Sequence, residues 1–180
     1  MKILILNGSP RLNGNTNFAL SAIADGITRN SNHCVEIINV TKLKVGGCTA
    51  CNACKENGGN CIMKDDSKCI IDKVYSFDAL IIGTPVYWWG MSSQMKAVID
   101  KFYSKTAQFK EQNKKIGIVV IGTGAVANKQ YELIHEQFNC ISGFLGWDKI
   151  FGFSYSASAQ GDLQKSETAV QELSEAWRML

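Results

Sequence analysis

Hydrophobic and polar positions along this chain fall into two alternating periodicities. Short apolar, β-branched runs of strand length occur at Lys2–Leu6, Val35–Val40, Ala79–Ile82, Ile116–Ile121 and Lys149–Phe153. Between and after them, apolar side chains recur at helical spacing. The sets are Leu20, Ile23, Ala24 and Ile27; Met91, Met95, Val98, Ile99 and Phe102; Tyr131, Ile134, Phe138, Ile141 and Leu145; and Val170, Leu173, Trp177 and Leu180. The first, third and fourth strand runs are continuously apolar, as expected where helices cover both faces of a parallel sheet. Regular strand–helix alternation predicts an α/β, doubly wound domain. No repeat, low-complexity tract or linker interrupts it, so residues 1–180 read as one domain. Only the stretch at about 42–68, rich in Gly, Asn, Lys and Cys, departs from the pattern, and it reads as an insert.

Composition narrows the classes. The net charge of +3 comes from scattered lysines and arginines, too mild for a nucleic-acid partner. No apolar run approaches the roughly 18 residues of a membrane span. The N-terminus enters a strand directly, without the regions of a signal peptide. Seven cysteines are therefore expected in a reducing cytoplasm, as thiols or metal ligands.

The candidate chemistry starts at the first strand–helix junction, Asn7-Gly8-Ser9-Pro10-Arg11-Leu12-Asn13-Gly14-Asn15-Thr16. A polar, Gly-containing loop that leads into a helix N-terminus is a phosphate-binding arrangement, because the first helical N–H groups are free and carry positive potential. Ser9, Arg11, Asn15, Thr16 and Asn17 are the candidate phosphate ligands. A plain helix-capping loop needs only one or two of them. A Walker A loop requires a Lys where Asn15 stands, and the dinucleotide fingerprint requires a Gly where Pro10 stands. A phosphoacceptor domain would carry acidic residues where this chain has Asn7 and Gly83-Thr84. A second polar–aromatic loop follows the third strand: Thr84, Pro85, Val86, Tyr87, Trp88 and Trp89, closed by Gly90. Three consecutive aromatics fit neither strand nor helix periodicity and suit a flat aromatic ligand. A hydrophobic plug or dimer patch is the competing reading.

These two loops, with Gln94-Met95-Lys96-Ala97-Val98-Ile99-Asp100-Lys101 after the second, resemble the flavodoxin-like FMN-binding proteins, in particular their NAD(P)H-dependent FMN reductase branch. The resemblance implies a flavodoxin-like five-stranded parallel sheet of order 2-1-3-4-5. It implies FMN as cofactor, NADH or NADPH as electron donor, and flavin N5 as the reacting atom, with no catalytic side chain. The acceptor would be a small molecule: a quinone, an azo or nitro compound, free flavin or another electron acceptor. Thr123 and Gly124, after the fourth strand, stand where the family has a third flavin-contacting loop. A homodimer or homotetramer is also implied.

The insert carries Cys48-x-x-Cys51-x-x-Cys54 followed by Cys61. Such spacing lets several thiolates converge, although the last gap is longer than in ferredoxins and Ile62 replaces their Pro. It resembles the compact four-Cys motif of the iron–sulfur flavoproteins, including an acidic pair, Asp65-Asp66, shortly after the last Cys. Two readings stay open: a [4Fe–4S] cluster on Cys48, Cys51, Cys54 and Cys61, with Cys69 as a substitute ligand, or free, redox-active thiols. The cluster reading makes the protein an electron carrier with a partner such as ferredoxin. Structural zinc and a disulfide fit the spacing and compartment less well. Trp147 and Trp177 read as core, Cys34 and Cys140 as small buried apolar residues. His33 and His135 show no partner in the sequence and receive no role.

Overall fold

The computed structural model describes residues 1–180 and contains one sheet of five parallel strands in the order β2-β1-β3-β4-β5. The strands are β1 (Lys2–Asn7), β2 (Cys34–Asn39), β3 (Ala79–Pro85), β4 (Lys115–Gly122) and β5 (Asp148–Ser156). The helices are α1 (Asn15–Asn30), α2 (Ala53–Glu56), α3 (Ser67–Ser76), α4 (Ser93–Asp100), α5 (Thr106–Lys110), α6 (Lys129–Leu145) and α7 (Glu167–Glu175). A 3₁₀ turn, Lys101–Lys105, continues α4. No helix is long and apolar enough to cross a membrane.

Side chains alternate across each strand and divide the core into two layers. Leu4, Leu6, Leu80, Ile82, Ile118 and Val120 meet α3, α4, α5 and α6 on one face. Ile3, Ile5, Ile81, Val119 and Ile121 meet α1 and α7 on the other. The three central strands are buried along nearly their whole length, which is why they appear as unbroken apolar runs. The edge strands β2 and β5 are only partly covered, and β5 runs on to Ser156, beyond its apolar stretch. Trp147 is buried as expected, and Trp177 packs at the margin of the second layer. Cys34 and Cys140 correct the sequence reading, since both are exposed. Cys34 opens an edge strand, and Cys140 lies off the Tyr131–Ile134–Phe138–Leu145 stripe that α6 buries. His135 has a partner invisible in the sequence, the Ser154 hydroxyl at 2.8 Å, and burial lowers its pKa.

Close packing seats α1 against α7. At Gly26 an added Cβ would stand 2.2 Å from the Ser174 carbonyl oxygen of α7. Gly→Ala in a helix interior normally stabilises by about 0.5–1 kcal/mol. Here a backbone clash opposes that gain, and overpacking costs about 1–3 kcal/mol. Gly26→Ala is expected to lower stability in urea unfolding. Gly143→Ala, on α6 with nothing near its added Cβ, is expected to raise it.

Candidate functional site

Beyond the carboxyl ends of β1 and β3, where the strand order reverses, lies a cleft of about 300 Å³. Ser9, Arg11, Gly14, Asn15 and Thr16 form one wall, Pro85, Val86 and Tyr87 a second, and Ile121, Gly122 and Thr123 a third. Ala157, Ser158 and Gln160, after β5, complete it.

The first wall is built around Asn7, which is fully buried at the end of β1. Its amide Nδ2 donates to Asn17 Oδ1 at 3.1 Å and to Asn39 Oδ1 at 2.8 Å. Its Oδ1 accepts the Ser9 N–H at 2.9 Å. One side chain thereby ties together β1, β2, α1 and the loop. Ser9 Oγ accepts the Arg11 N–H at 3.2 Å, and the Gly14 N–H closes the turn on the Arg11 carbonyl at 3.0 Å. The N-cap of α1 is Gly14, which has no capping side chain, and the first helical turn has no acidic residue. The first bond of the helix runs from Phe18 N–H to the Gly14 carbonyl at 3.0 Å, so the amides of Asn15, Thr16 and Asn17 face outward from the helix end. Arg11 enters no ion pair, and no carboxylate lines the cleft. The potential there is positive, from one guanidinium and one helix dipole.

Other predicted residues also have partners within the protein. Asn15 latches the loop after β5: its Nδ2 donates to the Ala159 carbonyl at 2.8 Å, and its Oδ1 accepts the Gly161 and Leu163 N–H groups. Asp162 stiffens that loop by accepting the Ala159 and Ser158 N–H groups. The Ala159 bond is the foremost cause of its lowered pKa. The Thr84 hydroxyl is buried and accepts the Ser92 N–H at 3.0 Å, which fixes the start of α4. Gly124 stands beside the cleft, where its carbonyl accepts the Tyr131 hydroxyl at 2.7 Å.

Tyr87 to Gly90 form a tight turn with reciprocal backbone bonds of 2.9 and 3.0 Å. Its two central residues, Trp88 and Trp89, have φ of 45° and 59°. Both positive values match a type I′ turn, normally made by Asn or Gly. Trp88 is 90% exposed and Trp89 56%, with ring centroids 5.7 Å apart. Neither lines the cleft, and both project from its rim. Sequence reasoning missed Asn7 and the Ala157–Gln160 wall. The rule that ligands sit beyond strand carboxyl ends could have pointed to the latter.

A second, tighter pocket of about 20 Å³ is lined by Cys48, Cys51, Cys54 and Cys61 together with Lys101 and Tyr103. Left-handed backbone at Ala50 and Asn52 turns the chain around Cys51. The Cys51 thiol is held below its ordinary pKa by the Ala53 N–H and the Thr49 side chain. Asp65 and Asp66 staple the insert shut by accepting the Gly46 N–H at 2.9 Å and the Lys44 N–H at 2.7 Å. No three His, Cys, Asp or Glu side chains are placed to hold a single metal ion. Four soft sulfur donors bordering one pocket beside a cation fit an anionic polynuclear iron–sulfur group.

A sheet of this order with a cationic cleft at its switch point is the architecture of the flavodoxin-like proteins, which bind FMN there. Sequence comparison narrows the class: residues 1–152 match the NADPH-dependent FMN reductase family, and the chain belongs to it. It is thus an oxidoreductase of a family that is FMN-dependent and linked to NAD(P)H. An iron–sulfur flavoprotein of Methanocaldococcus jannaschii is 37% identical over 145 residues, covering 77% of this chain and 72% of that one. A putative NAD(P)H-dependent FMN-containing oxidoreductase of Bacillus subtilis is 29% identical over 188 residues, covering 100% of this chain and 97% of its own. Among solved structures, an FMN-dependent NADH-azoreductase from Bacillus anthracis in complex with FMN superposes with a TM-score of 0.68 at 15% identity. It covers 99% of this chain and 98% of that chain, and at this identity it supports the fold alone.

The Asn7 node makes a test independent of any ligand. Asn7→Ala orphans the Ser9 amide and loosens two other amides, so it is expected to cost about 1–3 kcal/mol. Asn39→Ala, which removes one of the three bonds, is expected to cost less. Urea unfolding of both variants measures the order.

Proposed function

We propose that the cleft holds FMN with its phosphate on the Ser9–Asn17 loop and its ring system along the Pro85–Tyr87 wall, below the Trp88–Trp89 rim. The supporting observation is the acid-free end of α1, where uncapped helical amides, the unpaired Arg11 and the Thr16 hydroxyl border the same space. Asn15 and Asn17 would contribute through their backbone amides while their side chains hold the loop. Thr84 would set the second loop from below, and Thr123 and Gly124 would border the ring from the β4 side. Bound there, FMN supplies hydride acceptance and donation at N5. The chain's own part is to hold the phosphate, orient the ring and leave one aromatic-rimmed face open. A nicotinamide, and then a flat acceptor such as a quinone or an azo or nitro compound, would reach the flavin through that face in turn.

The four-Cys pocket favours a second reading, in which a [4Fe–4S] cluster exchanges single electrons with FMN and a protein partner such as ferredoxin. Cys48, Cys51, Cys54 and Cys61 would be the ligands, and the name of the Methanocaldococcus relative supports this reading. Rapid flavin bleaching by NAD(P)H favours the reductase; bleaching by reduced ferredoxin alone favours the relay.

Hydrogen bonds to charged groups contribute about 1.5–3 kcal/mol each. Arg11→Ala is therefore expected to weaken FMN binding by about 10- to 100-fold, read by quenching of flavin fluorescence. Riboflavin, which lacks the phosphate, should bind wild type and variant alike. An equal loss for both flavins would remove Arg11 from the phosphate site.

A further inference from the structure

Lys101 follows the last residue of α4 and is only 2% exposed. Its ammonium group lies 3.7 Å from Cys61 Sγ and lines the same pocket as Cys48, Cys51 and Cys54. It belongs to none of the ion pairs of the chain. Nearby carboxylates are engaged elsewhere, Asp100 with Lys96 and Asp65 with the Gly46 and Ser67 amides. The other fully buried lysine, Lys114, donates instead to the Tyr75 and Phe77 carbonyls. A buried ammonium group is strongly disfavoured unless an anion or several acceptors compensate it. The one acceptor within hydrogen-bond reach of Lys101 is Cys61 Sγ, and Asp65 acts on it only through charge.

We propose that Lys101 is the fixed counter-charge of an anionic sulfur centre held by Cys48, Cys51, Cys54 and Cys61, and that it raises the reduction potential of that centre. The inference rests on the iron–sulfur reading of the cysteine pocket. One electron added to such a centre increases its negative charge, and a cation in a poorly hydrated wall stabilises the reduced form more than the oxidised one. Lys101 acts through charge and position; it transfers neither an electron nor a proton.

The test uses the full-length protein, reconstituted anaerobically with ferrous iron and sulfide, freed of excess and titrated with dithionite. Iron and sulfide analysis reports loading, and the EPR signal of the reduced centre reports its potential separately from the flavin. Wild type is expected to retain iron and sulfide. Lys101→Met should retain both, but at a fixed ambient potential its reduced-to-oxidised ratio should fall about tenfold, a shift of about 59 mV for one electron. Lys101→Arg should stay near wild type. FMN binding certifies the fold of each variant, and Lys101→Gln supplies the same neutral comparison if the methionine variant is unstable. An unchanged potential in the neutral variants overturns the role of Lys101 and leaves the cluster reading standing. A wild type that retains neither iron nor sulfide overturns both.

Discussion

One buried amide, Asn7, sets the geometry on which the cleft depends. Burying an amide without partners costs about 1–3 kcal/mol by mutational measures, so the end of a central strand is an unfavourable place for it unless each polar atom is matched. Here Nδ2 is shared between Asn17 and Asn39, and Oδ1 takes the Ser9 amide. These bonds fix the start of the loop, the first turn of α1 and the end of β2 relative to one another. The outward amides of α1 consequently meet the cleft at one defined place. The polar loop is rigid because its anchor is polar and saturated, which leaves its outer surface free for an anion.

The opposite wall is held by close backbone approach and by strain. The Gly8 N–H donates to the Gly83 carbonyl at 2.8 Å. An added Cβ at Gly8 would come within 3.0 Å of Ser92 Oγ and 3.1 Å of that carbonyl, so glycine lets the two loops approach without displacing either. Ser92 in turn caps α4 by accepting the Met95 N–H and is itself held by Thr84. On this base stands the Trp88–Trp89 turn, whose left-handed residues cost about 1–2 kcal/mol each. Exposed indoles offset little of that cost in the isolated chain. The strain is thus concentrated in a solvent-facing aromatic pair beside the cleft.

What the sequence made legible follows from how locally each feature is encoded. β1, β3 and β4 are covered on both faces, so burial writes itself as a continuous apolar run. The loop after β1 is equally local, because its backbone, glycines and hydroxyls all lie within one short stretch. The division of labour inside it is not local. The partners of the Asn15 side chain lie in the loop after β5, far away in sequence, and those of Asn7 are distributed over three elements. The Asp65-Asp66 pair was legible only as a motif, whereas its work as a staple on Lys44 and Gly46 required the folded insert. Cysteine was the least reliable guide to burial: Cys34 and Cys140 share the composition of core residues but sit at an edge and on an outer helix face.

The aromatic turn and the cysteine insert are joined by one short rigid element. α4 is capped at its first turn by Ser92, beside the aromatic turn, and is followed directly by Lys101, which lines the cysteine pocket. Its eight residues, Ser93–Asp100, span only about 12 Å at the usual rise per residue. Met95 and Val98 are fully buried against the sheet, so the rod has little freedom to slide. The Lys101–Lys105 turn then supports the insert, where Tyr103 Oη donates to Asn52 Oδ1 at 2.9 Å and Lys105 pairs with Asp72 of α3. The insert is therefore tied to the same helix that follows the aromatic turn.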